Sequence, residues 1–69
     1  MTVANLSIPM VDAETLAIFS HERSKSLSRR EWKFRLAGHG YGIHEIEGAC
    51  IATRLPHGTA CGVLPPHLG

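Results

Sequence analysis

The apolar positions of the second half of the chain come in short runs. "YGIHEIE", "ACIATRL" and "TACGVL" are rich in apolar and β-branched residues, and the pieces between them, "EG" and "PHG", carry turn chemistry. This pattern predicts consecutive antiparallel strands, a β-meander. Upstream the period changes: Ala13, Leu16 and Phe19 recur at about helical spacing behind Asp12, an N-cap residue type, with Glu14 in the first turn where the helix dipole favours an anion. A helix is predicted over residues 13 to 22. The serine-rich basic stretch "SKSLSRR" has no clear period, so residues 23 to 30 are expected to be a loop.

"EWKFRLAG" supports two readings. Trp32, Phe34 and Leu36 alternate with Glu31, Lys33 and Arg35, the pattern of a half-buried strand over residues 32 to 36. Against it, Ser28 and Glu31 have capping-box spacing, and Gly38 stands where a helix C-cap would. The strand is preferred because a helix would set Trp32 and Phe34 ~200° apart and leave one of them in water. The expected fold is α+β: one short N-terminal helix packed on a three- to four-stranded antiparallel β-meander. Residues 1 to 11 are expected to form an extended arm that Pro9 confines to a sheet edge, and "PPHLG" gives residues 65 to 69 the character of a flexible tail.

A chain of 69 residues is one small domain with a thin core, removing ~60% of its unfolded surface from water. Hydrophobic residues at 43% and charged residues at 19% exclude a disordered composition. The net charge of +1 hides a cluster, since Arg23, Lys25, Arg29, Arg30, Lys33 and Arg35 fall in one segment whose acids are Glu22 and Glu31. The interrupted apolar positions of "MTVANLSIPMVDAE" are those of neither a signal peptide nor a membrane span, so a cytoplasmic protein without membrane contact is expected.

The expected register decides which side chains meet. With Glu47 and Gly48 in a two-residue turn, Ile46 faces Ala49, His44 faces Ile51 and Tyr41 faces Arg54. His39 and His44 are then separated by ~16 Å of extended chain and cannot share a tetrahedral metal. The glycines of "GHGYG" read as hairpin residues, because the Walker and dinucleotide-binding patterns are both absent. Cys50 is expected opposite position 65, four residues and roughly 13 Å from Cys61. That is beyond the ~7 Å Cα separation a disulfide tolerates, so two free thiols are predicted.

Three functional readings follow. The first is a noncatalytic binding or regulatory module acting through protein contacts, with another protein or a second copy of the chain. One short helix covers only one face of a sheet that carries Ile43 and Ile46 on opposite faces. The second is nucleic-acid binding by Arg23, Lys25, Arg29 and Arg30. Its difficulty is that a strand would point Trp32 and Phe34 away from Lys33 and Arg35. The third is an anion or metal site on a rim formed by the first and third turns, where His39, His57, Tyr41 and Arg54 gather. No motif calls for a cofactor, and no paired acid and base points to an enzyme.

Overall fold

Two side-chain caps start the helical half. Asp12 accepts a hydrogen bond from the Thr15 amide at 2.8 Å and opens α1 (Ala13–Lys25). Ser28 accepts from the Glu31 amide at 3.1 Å and opens α2 (Arg29–Gly38), while Glu31 reaches back to the Leu27 amide at 2.8 Å. Three strands follow: β1 (Tyr41–Ile46), β2 (Ala49–Arg54) and β3 (Thr59–Val63), with a 3₁₀ turn at Pro66–Leu68. The computed structural model describes residues 8 to 68.

The α+β class and the meander stand, but α2 replaces the expected strand over 32 to 36. The expected loop over 23 to 30 contracts accordingly, to the three residues between the helices. Alternation was the weaker signal because Trp32 and Leu36, one helical turn apart, are both fully buried, while Phe34 is left 80% exposed. The exposure that argued against a helix is what the chain accepts. Two buried side chains, a complete N-terminal cap and good helix formers outweigh one solvated phenylalanine.

The sheet has the order β1-β2-β3, and the β1–β2 register is the expected one: Tyr41 opposite Arg54, His44 opposite Ile51, Ile46 opposite Ala49. Glu47 and Gly48 both have positive φ, 47° and 85°, which makes their two-residue connection a type I′ hairpin turn. Between β2 and β3 the register slips where Ala52 pairs with Gly62 and Thr53 with Ala60, leaving Cys61 as a bulge residue. The bulge puts Cys50 beside Leu64, whose amide bonds its carbonyl at 2.8 Å, in place of position 65. Cys50 and Cys61 are free thiols.

Residues 9 to 11 of the expected arm lie on the β3 edge. Val63 donates to the Pro9 carbonyl at 2.9 Å and accepts from the Val11 amide at 3.0 Å, forming a parallel bridge centred on Met10. Pro9, which has no N–H to offer, contributes only its carbonyl. The first seven residues of the arm expected over residues 1 to 11 lie outside the described residues. At the other end, Leu68 is only 7% exposed and belongs to the core, so residues 66 to 68 are anchored where a flexible tail was expected.

Both helices pack on one face of the sheet. Val11, Phe19, Trp32, Leu36, Ala52, Leu64 and Leu68 form the core, flanked by Tyr41, Ile43 and Cys50. Ile51, which points to the other face, is 1% exposed, so the sheet centre is buried on both sides. Gly62 is where the arm crosses β3: a Cβ there would lie 2.6 Å from the Val11 Cα and 2.7 Å from its nitrogen, both backbone atoms. The Gly62→Ala variant is therefore expected to lose about 1–3 kcal/mol of stability, read as a lower denaturant midpoint. An unchanged midpoint would contradict this placement of the arm.

Candidate functional site

Folding Trp32 inward decides what α2 shows to solvent. Its indole N–H donates to the Phe19 carbonyl at 3.0 Å, its ring meets the Phe19 ring edge-on at 6.3 Å, and the Arg23 guanidinium covers it at 5.5 Å. On a helix, Phe34 is then ~200° from Trp32 and on the same side as Arg30, one turn earlier. Ser28, Arg30, Glu31, Lys33 and Phe34 line a shallow depression of ≈ 520 Å³. Leu27, 95% exposed, precedes the Ser28 cap. The result is a surface that sets the Phe34 ring beside two cations, with Leu27 exposed in the turn that precedes it.

A second cluster joins the helices along a third side of α2, between its outward and its buried residues. The carboxylate of Glu22, a residue only 8% exposed, accepts from Arg35 Nε at 2.7 Å and from His39 Nε2 at 2.9 Å. Arg35 also lies 3.8 Å from Glu31. The hydrogen bond from His39, then that from Arg35, holds the Glu22 carboxyl down at about 2 from its ordinary 4.5, against the opposing effect of burial. Ala17, Ile18, His21, Glu22 and His39 line a depression of ≈ 440 Å³ beside this cluster. Glu22 is committed to two cationic or donor partners, which makes it a tie between α1 and the end of α2.

The predicted nucleic-acid residues are dispersed. Arg23 is stacked on Trp32, and Arg29 bonds Glu45 and, at 3.5 Å, the Cys50 sulfur. Lys25, the last residue of α1, and Arg30, in the first turn of α2, are both exposed. The helix moves Phe34 to the side of Arg30 and Lys33, which removes the geometric conflict that a strand imposed for that ring.

The rim forms in part. The Leu55 amide donates to the Gly40 carbonyl at 2.9 Å, which holds the first and third turns at one end of the sheet. Arg54 lies 5.3 Å over the Tyr41 ring and 3.4 Å from its hydroxyl. His39 instead turns its imidazole to Glu22, and His57 is exposed in the β2–β3 loop. Among the described residues no group of three His, Cys, Asp or Glu side chains is arranged to hold a metal ion. No helix among them is long and apolar enough to cross a membrane.

The Glu22 cluster was missed because it requires α2. Read as a helix, "RLAGH" sets Arg35 and His39 one turn apart on one side, where a single acid can serve both. The capping-box spacing was the available signal. Comparison with family models, with curated proteins and with solved structures finds no match for this chain.

Because the Glu22 carboxyl is depressed on folding, its ties add stability above its ordinary value of 4.5, and that contribution is lost as pH falls through about 2. The wild type is expected to be more stable than Glu22→Gln at neutral pH, with the gap closing on acidification between those values. Denaturant midpoints for both proteins across that range check it, and a pH-independent gap would count against the cluster.

Proposed function

We propose that this chain is a small noncatalytic binding or regulatory module of the cytoplasm that acts through protein contacts. Its contact surface is the outward side of α2 with the turn before it: Leu27, Arg30, Lys33 and Phe34. The observation that carries this reading is the exposure of Phe34, 80%, on a helix whose inward side is already filled by Trp32 and Leu36. An exposed aromatic ring is a suitable anchor for a partner's pocket, and flanking cations select a partner that is acidic around that pocket. Nothing in the folding of α2 uses the Phe34 ring, so its replacement separates binding from stability.

The Phe34→Ser variant is expected to keep the thermal midpoint of the wild type within a few degrees and to lose its bound partner in affinity capture from native extract. Recovery of the same identified proteins at the same yield by both would remove this reading.

A second reading, single-stranded nucleic-acid binding, is favoured by the alignment of Phe34 with Arg30 and Lys33, one stacking platform beside two phosphate-contacting cations. It predicts salt-sensitive binding of an oligothymidylate that weakens in both Phe34→Ser and Arg30→Glu. Titration at two salt concentrations checks it, and absence of binding at the lower one removes it.

A further inference from the structure

The two edges of the sheet are treated differently. The β3 edge is covered at its Val63 end by residues 9 to 11, whose Pro9 carbonyl and Val11 amide take up the outward groups of Val63. Among the described residues nothing pairs with the β1 edge. The bond from the Leu55 amide to the Gly40 carbonyl fixes the alternation along the β1–β2 ladder, so Gly42, His44 and Ile46 bond to β2. The amides and carbonyls of Tyr41, Ile43 and Glu45 therefore point away from the sheet, and among the described residues they have no partner. Strand edges of this kind are normally blunted by proline, lysine or a bulge. The segment "YGIHEI" has none of these.

We infer that the β1 edge pairs with β1 of a second copy, antiparallel and centred on Ile43, joining two three-stranded sheets into one of six strands. The strand is self-complementary in that register. Ile43 meets Ile43 of the other copy, and Tyr41 meets Glu45 on either side, so three residue pairs exchange about six main-chain hydrogen bonds. Gly42, which has no side chain, falls opposite His44 and leaves room for the imidazole.

Charge selects the same orientation. Glu45, whose side chain is 60% exposed, and Glu47, exposed in the hairpin turn, make one end of β1 acidic, although Arg29 already shares the charge of Glu45. Beside the other end lies Arg54 of β2, stacked on Tyr41. Antiparallel pairing lays each acidic end beside the basic end of the other copy, whereas parallel pairing would set like beside like. The two-fold axis stands perpendicular to the sheet, so both helix layers remain on one side and the interface is isologous and closed. This goes beyond the binding surface on α2 and uses none of its residues.

Sedimentation equilibrium from micromolar to millimolar concentration, with amide hydrogen exchange measured at both ends of that range, tests the proposal. A dimer is expected in which the Tyr41, Ile43 and Glu45 amides are protected at high concentration and exchange freely on dilution. Glu45→Pro removes one outward N–H that the monomer does not use, together with the exposed tie to Arg29 that Glu45→Gln also weakens, so it is expected to keep the fold and, relative to Glu45→Gln, weaken the dimer about tenfold or more. Phe34→Ser is expected to dimerise as the wild type does, which separates this interface from the α2 surface. A monomer at millimolar concentration, a dimer whose three outward amides exchange freely, or a dimer abolished by Phe34→Ser would each overturn the proposal.

Discussion

The rest of this structure depends on the burial of one indole. Trp32 is fully enclosed, and an enclosed tryptophan must place its N–H, which it does on the Phe19 carbonyl of the facing helix. That bond sets the depth at which α2 meets α1. The Phe19 ring then stands between Trp32 and Tyr41, at 6.3 and 5.3 Å, and carries the contact onward to β1. Arg23 completes the enclosure from the solvent side by lying over the indole. A domain this small has few large side chains to spend, and three of its four rings are used in one contiguous stack.

The surfaces follow from that arrangement. Once Trp32 and Leu36 point inward, a 3.6-residue period obliges Phe34 and Arg30 to point outward. Arg35 and His39 fall on a third side and converge on Glu22, whose low exposure would be costly for a carboxylate without them. The cations of the basic segment thus divide by position on two helices. Arg23 seals the core, Arg29 ties α2 to the sheet through Glu45 and Cys50, Arg35 ties α2 to α1, and Arg30 and Lys33 are left on the solvent side. A charge cluster that looks uniform along the chain has four different uses in space.

The sheet adds an asymmetry of its own. On the β3 side, the bulge at Cys61 and the bare Cα of Gly62 let the arm approach closely enough to pair. On the β1 side, a regular ladder and a tight type I′ turn produce an unbroken edge. Regularity, useful for register, is what leaves its outward main-chain groups without partners among the described residues.

Local chemistry sufficed for much of this. The meander, the β1–β2 register, the Glu47–Gly48 turn, the Asp12 cap and the edge position of Pro9 each depend on a few adjacent residues, so they were legible in the sequence. The state of residues 32 to 36 was not, because strand and helix each bury part of the same apolar set. The choice rests on which set finds partners: Phe19 offered a carbonyl and a ring to Trp32, and nothing among the described residues offered a site to Phe34. The Glu22 cluster, the dispersal of the basic residues and the slip that moved Cys50 opposite Leu64 all follow from long-range packing. Periodicity specifies which residues share a side, but only the tertiary structure decides which side is turned to the core.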